Sequence, residues 1–427
     1  MGIYLNSDDT DFRSAVKYSR IYVDKTELIR YTNSVLFGEQ KYICVSRPRR
    51  FGKSMAANML TAYYSRGCDS GELFQGLKIA THPDFEKHLN QYNVIHLNMR
   101  DYLTESENMK QLIQFVEDDL LDELQQEFSD LRMPRRKTLV KVLEQAFAQY
   151  KIPFVFIIDE WDCIFRVHKS DAVSQKDYLD FLRNLLKDKS YIALAYMTGI
   201  LPIKKYGEHS AINVFYEYSM TDASPIEEFT GFTEQEVRQL CEQYNMPFSE
   251  TKKWYDGYCV DGVSIYNPKS VVEAMLRGKF SNYWTQTETY EALKIYIQSN
   301  EFGVQDVILK LLAGEKEKID TTTFSNDMVT FATKDDVLTL LVHLGYLTYD
   351  AETKEIWIPN DEVMEQFIST VKVMGWGSVV TALETSEKLL QATLSGDEQT
   401  VAELIEQAHQ ALSLIHISEP TRLRCIS

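Results

Sequence analysis

The sequence predicts an α/β protein: a parallel sheet with helices on both faces, followed by a mostly helical, winged-helix-like C-terminal region. Three observations predict it. Short, mostly apolar runs recur at 41–46, 94–99, 153–158 and 191–197, as expected of strands buried on both faces. Segments with helical spacing separate them, at 53–65, 109–124, 139–150 and 176–187, and strand–helix alternation builds parallel crossover units. After about Asp222 the composition changes and helical patterns dominate.

Each element follows from its residues. Lys41 to Ser46 reads as a buried strand, Arg47 to Phe51 as a turn, and Lys53 to Ser65 as a helix with Met55, Met59, Leu60 and Tyr63 on its apolar face. Pro225 to Phe232 links into a helix whose start, Thr233-Glu234-Gln235-Glu236, has the form of a capping box. Residues 233–310 read as mostly helical, interrupted at Trp254 to Pro268 by a loop or hairpin rich in Gly, Asp and Tyr. Asp335 to Leu344 is a helix, and 345–349 with 356–359 make a hairpin around Ala351 to Lys354. Helix then hairpin is the plan of a winged-helix unit, and from Asp361 the pattern returns to helix. The expected divisions are 1–222, 223–310, 311–411 and a tail, 412–427. The string from Ser413 to Arg422 resembles a translated sequencing adapter and is set aside as non-native, with the expectation that the natural protein continues.

Composition excludes several classes. The chain has 427 residues, 44% hydrophobic and 25% charged, ordinary values for a globular protein. Its net charge of −18 opposes a whole-chain role as a non-specific nucleic-acid binder. The six cysteines show no CxxC spacing and no His at metal-ligand spacing, so reduced thiols in a cytoplasmic protein are expected. The N-terminus lacks the basic and apolar regions of a signal peptide, and no apolar run approaches the ~20 residues that span a bilayer, so no membrane partner is expected.

Two motifs carry chemistry. Ser46-Arg47-Pro48-Arg49-Arg50-Phe51-Gly52-Lys53-Ser54 matches the end of GxxxxGK[ST], placed after a strand and before a helix. Gly52 lets the backbone approach a phosphate, Lys53 supplies a point charge to the β- and γ-phosphates, and Ser54 offers a hydroxyl to Mg²⁺. The first-turn N–H groups of the helix favour an anion. The motif's first Gly falls at Arg47; Pro48 is expected to stiffen that turn. Arg49 and Arg50 either touch phosphate or face solvent.

The second motif closes an apolar strand, Phe154 to Ile158, with Asp159 and Glu160. In a phosphate-loop ATPase the first acid supports Mg²⁺ and the second polarises the attacking water. Between Lys53 and Asp159 there is room for the strand at 94–99, which fits the ATPase branch with a strand between the two motifs. Thr198, ending the next strand, is either a γ-phosphate sensor or a structural Thr; Lys204 and Lys205 either reach phosphate or are solvated. Asp162 either backs the site or caps the next segment. The expected fold is therefore a P-loop NTPase of the ASCE/AAA-like type, with ATP and Mg²⁺ as ligands.

At Tyr22 to Thr26, Arg47 to Ser54, Ile158 to Asp162, Phe232 to Glu234 and Trp254 to Tyr258, the sequence resembles the bacterial AAA-ATPase-like family. The Arg-Pro-Arg-Arg-Phe-Gly-Lys-Ser string is specific to that group. The resemblance implies that Arg47 is a family habit, that Tyr22 to Thr26 lie near the adenine, and that a PD-(D/E)XK nuclease-like domain follows. Residues 360–427 supply no such core. Three functions stay open: a Mg²⁺-dependent ATPase acting as motor or switch for a nuclease partner, a nucleotide-dependent scaffold with little turnover, and a DNA-binding module. A homo-oligomer completing the site in trans is compatible with the first two.

Overall fold

The computed structural model describes residues 2–203, 212–284, 297, 301–324, 331–374 and 377–406. Lys204, Lys205 and the 412–427 tail lie outside the described residues.

Five parallel strands form the main sheet: β1 (Tyr42–Ser46), β2 (Asn93–Asn98), β3 (Phe154–Asp159), β4 (Ile192–Gly199) and β5 (Tyr216–Tyr218), in the order β2-β3-β4-β1-β5. Side chains alternate between faces, as the pleat dictates. Phe154, Phe156 and Ile158 enter one apolar cluster, and Val155 and Ile157 the other. Tyr42 and Cys44 likewise divide from Ile43 and Val45. The helices Met109–Glu127, Leu139–Tyr150 and Ala172–Leu186 cover the first face through residues such as Leu120, Leu143 and Leu182. The helix Lys53–Tyr64 covers the second through Ala57, Leu60 and Tyr64. Met55, expected on the apolar face of that helix, is 42% exposed.

A strand does intervene between the strands of the two motifs, as expected, but its identity is a correction. In sequence, β2 lies between Lys53 and Asp159; in space β2 is an edge strand and β4 separates β1 from β3. Register places Val45 beside Thr198 on β4, and Ile158 of β3 beside Met197.

Beyond the sheet, β6 (Phe232–Thr233), β7 (Tyr258–Val260) and β8 (Val263–Tyr266) form a small antiparallel sheet, so the expected 254–268 segment holds a hairpin at 258–266, while Trp254 and Tyr255 close the helix Phe248–Tyr255 and Pro268 opens the next. The expected capping box is present: the Thr233 hydroxyl accepts from Glu236 N, and the Glu236 carboxylate accepts from Thr233 N. The helix Lys334–Leu344 precedes a hairpin of β10 (Thr348–Asp350) and β11 (Glu355–Trp357). A short strand missed in the sequence, β9 (Glu317–Lys318), pairs with β11. One apolar cluster runs from beneath the main sheet to Trp284, Leu341, Tyr346 and Phe367. Among the described residues, no helix is long and apolar enough to cross a membrane.

Candidate functional site

The loop joining β1 to the Lys53–Tyr64 helix is bent by two left-handed residues, Arg50 at φ 70° and Gly52 at φ 86°. Gly52 is the N-cap and contributes no side-chain cap, so the first-turn N–H groups receive no capping side chain among the described residues. A Cβ at Gly52 would meet nothing within 4 Å. The helix therefore opens on free space with its positive end exposed, as an anion site requires. Ser54, in that first turn, is exposed.

Lys53 is 5% exposed, and its amine donates to Arg47 O and Pro48 O, both at 3.0 Å. Burial draws the amine below its ordinary value, while the Glu160, Asp159 and Asp162 carboxylates act against that. The two motifs lie at the C-terminal end of the same parallel sheet, close enough for their charges to couple.

The side chains of the other loop residues divide. Arg47, 1% exposed, turns away from the loop: its Nη1 donates to the carbonyls of Ser46, Tyr218 and Ser219 at 3.0, 3.0 and 2.7 Å. Phe51 is buried and its ring meets Tyr258 edge-on at 5.1 Å. Pro48 packs beside Gly345. Expected among the ligand-binding residues, these three instead place their side chains in the protein and offer only backbone to the loop. Arg50 Nη1 donates to Tyr283 O at 3.1 Å. Arg49 acts electrostatically on Glu160.

Asp159 is 5% exposed; its Oδ1 accepts from Glu160 N at 2.9 Å and from the buried Thr198 hydroxyl. Thr198 is therefore engaged with the acid. Glu160 sits in the left-handed region at φ 53° and pairs with Arg166. Burial alone would raise the Glu160 carboxyl, but the Arg166 and Lys53 charges prevail and hold it below the usual range. Asp162, wholly buried, accepts from Ile200 N at 3.1 Å and Leu201 N at 2.9 Å, tying the acidic turn to the chain leaving β4. Arg166 escaped the sequence reading; its only signal is a position four residues after Asp162 and six after Glu160.

Beside Gly52 lies an apolar cavity of about 220 Å³, bounded by Tyr22, Val23, Met55, Met59, Phe229 and Phe232. This accounts for the exposure of Met55, and it places the Tyr22–Val23 segment next to the loop. Lys25, nearby, bridges to Glu236 at 2.5 Å. Among the described residues, no cluster of three His, Cys, Asp or Glu could hold a metal by itself. Mg²⁺ needs no such cage where substrate phosphates and water complete its shell. The uncapped helix end, the buried amine and the facing acids together fit a Mg²⁺–nucleotide.

The family model described as "Predicted AAA-ATPase" (AAA-ATPase-like) matches residues 9–207. An "Uncharacterized protein in vnfD 5'region" of Azotobacter chroococcum mcd 1 is 25% identical over 279 residues, 63% of this chain and 51% of that protein. The chain thus spans about half the length of that curated relative. Among solved structures, the Aeropyrum pernix ORC2 protein (ADPNP-ADP complexes) aligns over 83% of this chain and 97% of that one, at 12% identity and TM-score 0.34. AMPPCP-bound DnaA from Aquifex aeolicus aligns over 94% and 98%, at 8% identity and TM-score 0.26.

Proposed function

We propose, on the premise that residues 9–207 belong to the AAA-ATPase-like family, that this chain binds Mg²⁺–ATP at the 47–54 loop and hydrolyses it. The cycle would serve as a motor or switch for a partner, a nuclease domain being the partner the family resemblance implies. One observation carries the reading: Lys53, at an uncapped helix start, feels the carboxylates of Asp159 and Glu160 from the strand next but one.

Each residue then has a defined task. The first-turn N–H groups and Lys53 bind the phosphates, whose oxygens replace the Arg47 and Pro48 carbonyls as acceptors of the amine. The apolar cavity beside Gly52 suits a flat, apolar base. Ser54 and Asp159 would hold Mg²⁺, with Thr198 fixing the direction of Asp159. Bound Mg²⁺ neutralises charge on the transferred phosphoryl group. Glu160 orients and polarises the attacking water. A cytoplasmic protein that assembles as a homo-oligomer, with a second copy completing the site, belongs to the same proposal.

The test is direct. Lys53→Ala abolishes ATP binding, whereas Glu160→Gln binds ATP and does not turn it over. Equal hydrolysis by wild type and Glu160→Gln rejects the base assignment. The Glu160–Arg166 pair favours a second reading, a nucleotide-dependent scaffold with little turnover; measuring affinity and turnover together separates the two. A DNA-binding module is opposed by the net charge of −18.

A further inference from the structure

Glu160 does not face open space over the phosphate loop. Its Oε2 is bound to Arg166 Nη2, and the side chains are 18% and 12% exposed. Arg166 belongs to the short helix Cys163–Val167 that begins immediately after Asp162. Its Nε lies 3.1 Å from Asp162 Oδ2. One guanidinium thus joins two carboxylates of the acidic turn. Asp162 in turn holds the backbone N–H groups of Ile200 and Leu201, so the arrangement is anchored to the end of β4.

A carboxylate engaged by a guanidinium is a poor general base. One of its oxygens is occupied, its charge is offset, and its direction is fixed by the cation. Resting on the ATPase reading above, we infer that Arg166 is a positioning residue that restrains turnover: it holds Glu160 against the Asp162 turn, and hydrolysis requires that pair to open.

The experiment compares wild type, Arg166→Gln, Arg166→Lys, Glu160→Gln and Glu160→Gln/Arg166→Gln in the full chain. It measures Mg²⁺–ATP affinity and kcat separately. Arg166→Gln raises kcat by about 3- to 10-fold and leaves affinity within about twofold. Arg166→Lys gives a smaller rise, since a point charge cannot span both carboxylates. The double variant is as inactive as Glu160→Gln. If Arg166→Gln fails to fold, Arg166→Lys decides alone. Retained binding with an unchanged or lowered kcat overturns the restraint and leaves the ATP site standing. Loss of binding in wild type itself overturns the ATP reading, and the restraint with it.

Discussion

Glu362 offers a stability change large enough to measure. It lies at the start of the helix Asp361–Val373, 2% exposed. Three donors converge on one of its oxygens, Oε1: Ser270 Oγ at 2.9 Å, Tyr283 N at 2.6 Å and Trp284 N at 2.9 Å. Burial pushes the carboxyl from 4.5 up to about 7, and the three hydrogen bonds, pulling the other way, do not overcome it. The sign follows from proton binding. Below pH 4.5 the group is neutral in both states. Between 4.5 and 7 the unfolded chain ionises first while the folded protein keeps its proton, so stability falls as pH rises. Above 7 the loss is complete, about 3 kcal/mol at ~1.4 kcal/mol per pH unit. Glu362→Gln keeps the oxygen that receives the donors and removes the charge. Its unfolding free energy should match wild type within about 1 kcal/mol at pH 5 and exceed it by about 2–3 kcal/mol at pH 8. Urea titrations of both proteins at pH 5, 6, 7 and 8 measure this. Parallel stability profiles, or a variant less stable than wild type at pH 8, would refute the reasoning by showing that the three donors sustain the buried anion.

Two further substitutions test the site itself. Thr198→Val removes the hydroxyl that directs Asp159; the Mg²⁺ concentration for half-maximal turnover should rise about 3- to 10-fold, with Thr198→Ser near wild type, in a magnesium titration of ATPase rate. Gly345→Ala places a methyl 2.8 Å from Pro48 Cβ on a backbone at φ 85°; thermal unfolding should show a loss of about 1–3 kcal/mol, and nucleotide affinity should fall because the clash is with the phosphate loop.

Much of this arrangement was legible because it is local. β1, β3 and β4 are continuous apolar runs that only a doubly covered strand explains, and all three are buried throughout. The Thr233–Glu236 box and the β10–β11 hairpin are written in a few adjacent residues. The order of the sheet is not local. Nothing in β4's sequence says that it enters between β1 and β3. β5 and β9, at three and two residues, are too short to show a period. The Glu160–Arg166 pair depends on how a turn folds back, which residue types alone do not specify.

Arg47 shows how such non-local placement governs the site. A glycine is expected where the loop begins, yet among the described residues the left-handed positions of this loop are 50 and 52, and 47 is not one of them. No conformational demand for glycine exists there. What the position does require is an anchor. The Arg47 guanidinium reaches past β1 to the carbonyls of Tyr218 and Ser219, at and just beyond the end of β5, while the backbone N–H of Arg47 donates to Gly199 O at 3.0 Å. The first residue of the loop is thereby tied to both strands that flank β1. A flexible glycine would leave the loop to find its shape around a ligand; this buried arginine presets it, at the cost of burying a cation whose Nε and Nη2 meet no partner among the described residues. Burial draws that guanidinium down to about 10, so the anchor is held by the three carbonyls gathered on its Nη1 and not by solvation of the charge.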